Sequence, residues 1–174
     1  MGVGQGPVEP TKDRQTVDAE GRSVADLIAG VVVKPLTTIP DHRGTVCEIY
    51  RPERGIHPDP LVFVYQFTIR PGQIKAWQMH RKQDDRLFLS AGTARVVLYD
   101  DRADSPTAGM LNELFFGDHN RALFVIPAGV YHAIQNVDTW ETVLVNMPTR
   151  PYDHADPDKY RLPLANDLIP YTWR

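Results

Sequence analysis

What most constrains this chain is a rhythm. From Val31 onward, short apolar or alternating runs are broken every few residues by Gly, Pro, Asp or Asn. The runs read VVVKPLTTI, TVCEIY, LVFVYQFTI, RLFLSA, ARVVLYD, ELFFG, ALFVIPA, HAIQNV and ETVLVNM, and they are rich in Val, Ile, Phe and Tyr. β-Branched and aromatic side chains suit a pleated surface, and runs this short suit strands rather than helices. About nine or ten strands with no long helical period between them predict an antiparallel sandwich or barrel. The 174 residues are enough for one domain to bury a sizeable core, and no internal repeat or linker divides them.

The flanks read differently. Residues 1–22 are rich in Gly, Pro and charge and are expected to form a flexible segment ahead of a folded domain over 23–174. Within that domain the stretch SVADLIA at 23–29 predicts a short N-terminal helix, capped by Ser23 and stopped by Gly30. From Pro148 the chain becomes rich in Pro and Asp, an irregular tail expected to wrap over the barrel.

Charge and composition narrow the function. A formal net charge of -3 leaves no basic stripe to neutralise phosphates, so no nucleic-acid partner is expected. No apolar run nears the ~20 residues of a membrane helix. The N-terminus lacks the apolar centre of a secretory signal, so a cytoplasmic protein is expected. The single cysteine, Cys47, has no internal partner and reads as a small core residue.

Two stretches carry chemistry. Pro127-Ala-Gly129-Val-Tyr-His132-Ala-Ile-Gln-Asn136 fits PxGxxHxxxN, in which Pro and Gly turn the chain and the following His points into the barrel. Gln78-Met-His80 is followed by Asp85 and Gly92. Residues two apart on a strand face the same way, so Gln78 and His80 share the interior face, with Trp77 on the other. The first stretch is similar to the second motif of the cupin superfamily. The other resembles the first cupin motif, HxH(x)4E(x)6G, with Gln for the first His and Asp for Glu. The fold this resemblance implies is an all-β double-stranded β-helix, the cupin jelly-roll barrel.

More of the chain, roughly residues 30–174, resembles one cupin branch, the dTDP-4-dehydrorhamnose 3,5-epimerase family. Asp41-His-Arg43-Gly44-Thr-Val-Cys-Glu48 is similar to its DxRGxFxE stretch. Tyr99-Asp-Asp-Arg102 with Ser105-Pro106-Thr107 resembles its DxR…SPT segment, and PAGVYHA its PxGFxHG. Asn166-Asp167 with Trp173 is similar to its acidic, Trp-containing end. The resemblance implies a homodimer acting on a nucleotide-linked 4-keto-6-deoxy sugar without a cofactor, by removing the proton beside a ketone. It also implies a base, a proton donor on the opposite face and a cation for the enolate.

The residues depart from an orthodox 3,5-epimerase. Aligned from Pro71-Gly72, the RGxH stretch that holds the base reads Lys75-Ala-Trp77-Gln78, and Gln is no base at neutral pH. The enolate-stabilising Lys falls at Asp85 or Arg86, and the donor Tyr falls near Val145. In the related dTDP-sugar 3,4-ketoisomerases the stretch is RGxHxH, and His80 matches its second His. That resemblance makes His80 the base or proton shuttle, with His132 polarising or orienting the substrate and Asp85 beside them. Tyr131 is a donor if the backbone twists it inward. Arg43, Lys75, Gln78, Arg86 and Arg102 are the substrate-binding candidates, with Arg43, Lys75 and Arg102 holding a diphosphate.

Two other readings stay open. The cupin resemblance places Gln78, His80, Asp85 and His132 at the four positions that hold a divalent metal (Zn, Mn, Fe or Ni), for different chemistry on a small carbonyl or hydroxy compound. A catalytically silent cupin that binds a sugar nucleotide or a partner enzyme is the third. His42, His57, His119 and His154 read as solvated surface residues, with His119 in a hairpin turn, GDHN.

Overall fold

Alternation of side chains decides which way each strand lies. In the computed structural model, which describes residues 9–173, twelve strands form. They are β1 (Val32–Pro35), β2 (Thr38–Asp41), β3 (Gly44–Cys47), β4 (Tyr65–Ile69), β5 (Ile74–Met79) and β6 (Asp85–Ala91). After them come β7 (Ala94–Asp100), β8 (Leu111–Phe116), β9 (Ala122–Ile126), β10 (Val130–Asn136), β11 (Thr142–Asn146) and β12 (Tyr160–Arg161). Ten of these make two antiparallel five-stranded sheets, ordered β1-β9-β6-β11-β4 and β12-β5-β10-β7-β8. The fold is the cupin jelly roll. Among the described residues, the hairpin β2–β3 pairs only with itself.

Every second residue of the long strands enters the space between the sheets. Ala94, Val96 and Leu98 of β7 meet Leu87 and Leu89 of β6, Phe124 and Ile126 of β9, and Leu144 of β11. Phe116 and Phe124 stack from opposite sheets with ring centroids 4.3 Å apart. The alternate residues face outward, where each sheet is covered. Trp77, Met79, Val97 and Tyr131 lie beneath the C-terminal tail, which brings Ile169, Tyr171 and Trp173. Phe88, Leu123 and Met147 lie beneath residues 36–56, with Cys47 packed among them as the small apolar residue expected.

Three local expectations are corrected. Residues 23–29 do not form a helix, because tertiary partners claim their backbone donors. Ile28 N–H donates to Asn112 Oδ1 and Ala29 N–H to Thr107 Oγ1, both at 2.9 Å. A seven-residue helix has little cooperativity with which to resist that. The GDHN turn is not a hairpin, since it joins β8 and β9 in different sheets. In LVFVYQFTI only the part from Tyr65 becomes strand, and Leu61, Val62 and Val64 remain exposed. The first eight residues of the N-terminal segment lie outside the described residues, and no helix among those described is long and apolar enough to cross a membrane.

Candidate functional site

At one end of the barrel the inward positions turn from aliphatic to polar. Inward alternation places His132 between Val130 and Ile134, Asp85 before Leu87, Asn146 after Leu144 and Tyr65 before Phe67. Gln78 and His80 add the same face of β5 and its end, as the strand period requires. Together they line an inner cleft of about 230 Å³. An outer cleft of about 320 Å³ shares Tyr65, His80 and Lys159 with it and runs beneath Pro148, Arg150 and Tyr152 of the tail.

His132 is delivered by the turn Pro127-Ala128-Gly129. Gly129 adopts a left-handed φ of 82°, and a Cβ there would lie 2.7 Å from Arg102 Cγ, so glycine is required twice over. His80 is fixed by the tail. Its Nδ1–H donates to the Asp158 carbonyl, while the Asp158 carboxylate accepts the backbone N–H groups of Arg81 at 3.0 Å and Lys82 at 2.7 Å. Nε2 of His80 therefore faces Asp85, 3.4 Å from Oδ2. His132 Nε2 lies 3.7 Å from the same oxygen, and the two imidazoles stack with centroids 5.6 Å apart.

These contacts separate three titrations. Burial works against charge on His80, but the Asp85 carboxylate and then the Asp158 carbonyl outweigh it and raise its pKa above the ordinary histidine value. His132 is pushed down to about 4, by burial first and by the neighbouring His80 charge, against the pull of Asp85. Burial opposes ionisation of Asp85, yet the His80 hydrogen bond, the two imidazole charges and Asn146 bring it to about 2. At neutral pH the cluster therefore holds one carboxylate, one neutral imidazole and one imidazole that readily takes a proton.

The structure brings His80, His132, Asp85, Gln78 and Lys75 together at the inner cleft. Four candidates lie elsewhere. Arg86 is fully buried on the opposite face of β6 from Asp85, and its guanidinium is spent on the carbonyls of Met147, Pro148, Asp59 and Pro60. Arg102 pairs with Asp100 at 2.7 Å and donates to Ala29 O, tying the DxR…SPT segment to the entering chain. Arg43 sits at the turn of the exposed β2–β3 hairpin, paired with Asp41 at 2.6 Å, and lines neither cleft. Tyr131 stays on the outer face among Trp77 and Ile169, since its neighbours Val130 and His132 both point inward.

Other residues enter unannounced. Val145 faces outward against Phe88 and Leu123, and the inward neighbour is Asn146. Asn146 Nδ2 donates to the Tyr65 hydroxyl at 3.0 Å, and burial, then the Asp85 charge, raises the pKa of that phenol. Lys159 and Arg161 reach the cleft because β12 pairs with β5, Tyr160 opposite Met79 and Arg161 opposite Gln78. Burial, then the charges of Arg161 and Lys75, lowers the pKa of Lys159. His57, expected at the surface, is instead nearly buried and bonds Asp84 at 2.9 Å.

The His80, Asp85 and His132 donor atoms all lie within 4.8 Å of one another, a spacing that suits a divalent ion, and Gln78 lines the same cleft. His132 Nδ1 is buried without a hydrogen-bond partner among the described residues.

Comparison with known proteins follows the same lines. No family model matches the chain. It is 36% identical over 148 residues to the Haloferax volcanii protein named probable low-salt glycan biosynthesis epimerase, covering 84% of this chain and 94% of that protein. It is 34% identical over 149 residues to a spore coat polysaccharide biosynthesis protein of Bacillus subtilis, covering 84% and 97%. A dTDP sugar isomerase of Desulfovibrio desulfuricans superposes with a TM-score of 0.79 at 26% identity, covering 86% and 95% of the two chains. A dTDP-4-dehydrorhamnose 3,5-epimerase of Bacillus anthracis, at 16% identity, shares the fold with a TM-score of 0.74 over 86% and 88%.

Proposed function

The chain belongs to the dTDP-4-dehydrorhamnose 3,5-epimerase-like family of the cupin superfamily, and we propose that it is an isomerase acting on a nucleotide-linked 4-keto-6-deoxy sugar in polysaccharide or natural-product sugar biosynthesis. The observation that carries this reading is the orientation of His80. With Nδ1–H bound to the Asp158 carbonyl, the free lone pair of the neutral ring is on Nε2, towards the cleft and Asp85. His80 takes the proton from the carbon beside the ketone, and the electron pair left behind becomes the enolate. The imidazolium formed is stabilised at once by Asp85, which also explains why His80 is a stronger base than an exposed histidine. Gln78, one strand position before, hydrogen-bonds the substrate and takes no proton.

Three cations at the mouth, Lys75, Lys159 and Arg161, repel one another and favour an anionic partner between them. A diphosphate supplies it, leaving the sugar in the inner cleft. The assembly is a cytoplasmic homodimer. The hairpin β2–β3 exposes Ile39 and Val46 at 66% and 69%, and Leu61, Val62 and Val64 are exposed just before β4, the free edge of its sheet. A second copy covering this surface would bury apolar side chains that a lone subunit leaves in water.

The test is proton NMR of dTDP-4-keto-6-deoxyglucose incubated with metal-stripped protein in heavy water. Loss of the C3 or C5 proton signal, abolished by His80→Ala, is the expected result. Persistence of both signals would overturn the reading. The spacing of His80, Asp85 and His132 favours a second reading, a metal-dependent cupin. In that case, with different chemistry on a small carbonyl or hydroxy compound, both signals persist in the metal-stripped protein, and a divalent ion is retained by the native protein but not by His132→Ala.

A further inference from the structure

We propose that Tyr65 is the proton donor of this site, delivering hydrogen to the face of the sugar ring opposite His80. The inference rests on the isomerase reading above and names the group that completes an inversion. Inverting a carbon beside a ketone removes a proton from one face and returns another to the opposite face, so a single base does not suffice.

The two sheets supply the two faces. His80 stands at the end of β5 and His132 on β10, in one sheet, and Tyr65 on β4 stands in the other. His80 and Tyr65 both line the inner cleft, and they come from different sheets, so a ring held between them meets one from each side. The Tyr65 wall of that cleft consists of Tyr65, Phe67, Asp85, Leu87 and Asn146. Phe67 and Leu87 have no proton to give, an amide such as Asn146 does not release one, and Asp85 is engaged between the two imidazoles. Tyr65 is what remains. Its backbone partner across the sheet is Asn146, whose Nδ2 donates to the phenol oxygen at 3.0 Å. That bond occupies a lone pair and holds the ring, while the phenol's own hydrogen has no acceptor among the described residues.

The step balances without a further reactant. His80 Nε2 accepts the C–H proton and the enolate forms. The enolate electron pair then takes the phenolic hydrogen, so a C–H bond forms on the new face as the O–H bond breaks. Tyr65 is left as phenolate, and exchange with water resets both residues.

Tyr65→Phe separates the two halves of the reaction. With dTDP-4-keto-6-deoxyglucose in heavy water, proton exchange beside the ketone is expected to fall far less than product formation, because the base, His80, is untouched. Net inverted product is expected to fall at least about 100-fold, the scale of a lost general acid. Asn146→Ala, which keeps the phenol but frees it, is expected to lower product formation more than exchange. Product at the native rate from Tyr65→Phe, or exchange and product falling in the same proportion in both variants, overturns the assignment. Absence of exchange in the native protein overturns the isomerase reading and this assignment with it. Exchange in the native protein with product unaffected by Tyr65→Phe overturns the assignment alone.

Discussion

The backbone N–H of Gly129 donates to the carbonyl of His80 at 2.7 Å. The turn that delivers one imidazole is thereby fastened to the residue that carries the other. Ala128 N–H reinforces the junction by donating to Asp84 Oδ1 at 2.8 Å. The spacing of the two rings about Asp85 is thus set by a short backbone bridge rather than by two independent loops.

Gly129→Ala tests that bridge. The left-handed φ is strained for alanine, and its Cβ meets Arg102 Cγ and Cδ at 2.7 and 2.9 Å. A destabilisation of about 1–3 kcal/mol is expected in urea titration. Isotope exchange should fall further than the lost stability accounts for, because the junction with His80 shifts. Unchanged exchange would show that the bridge does not position His80.

Arg86 is predicted to be structural. Its guanidinium joins residues 59–60 to 147–148 through carbonyls, with Nε donating to Met147 O at 2.6 Å. Arg86→Ala strands those acceptors and empties a buried site, so a loss of about 3–5 kcal/mol is expected by thermal or chemical denaturation. Arg86→Lys should recover little, since an ammonium cannot span four carbonyls from one planar fork. Affinity for dTDP in protein that still folds is expected to stay near native.

The inner face of the barrel was legible in the sequence because the strand period is two. Gln78 and His80 share the cleft, and Trp77 takes the outer face, as alternation requires. The PxGxxH pattern places His132 for the same reason. Arg86 misled because the position of the family's enolate-stabilising Lys falls at Asp85 or Arg86, although alternation alone puts Arg86 on the other face. Its carbonyl partners are distant in sequence and leave no pattern. Lys159 and Arg161 were hidden in a Pro- and Asp-rich tail whose two-residue strand no periodicity announces. Tyr65 lay at the point where the run LVFVYQFTI becomes strand, and nine consecutive apolar or strand-forming residues say neither where the strand starts nor which of them face inward. The helix at 23–29 failed because Asn112 and Thr107, some 80 residues away, outcompete local propensity.

The rate should depend on His80 in its neutral form. Because Asp85 and the Asp158 carbonyl raise its pKa, kcat/KM is expected to climb with pH through a midpoint above 6.5. Asp85→Asn removes the carboxylate that opposes burial, so the midpoint should move to lower pH. The maximal rate should drop about 10- to 100-fold, since the imidazolium loses its counter-charge. A pH profile of isotope exchange for both proteins checks this, and an unmoved midpoint would separate Asp85 from His80.

Stability should respond to acid and to alkali through different histidines. His132 is buried and neutral with a pKa of about 4, so between 6.5 and 4 the unfolded chain binds a proton that the folded protein refuses. Stability from this group is present above 6.5 and is lost as the pH falls towards 4, by on the order of 3 kcal/mol. His80 has the opposite sign. Its raised pKa contributes stability fully present below 6.5 and lost as the pH rises through the folded value. Asp85, at about 2, keeps its contribution above the ordinary carboxylate range and loses it only on further acidification. Urea titrations across pH 4–9 should therefore show greatest stability near the ordinary histidine pKa. His132→Asn should flatten the acid side and His80→Asn the alkaline side. An acid side unchanged in His132→Asn would mean that the neutral, buried His132 is not what makes the fold acid-sensitive.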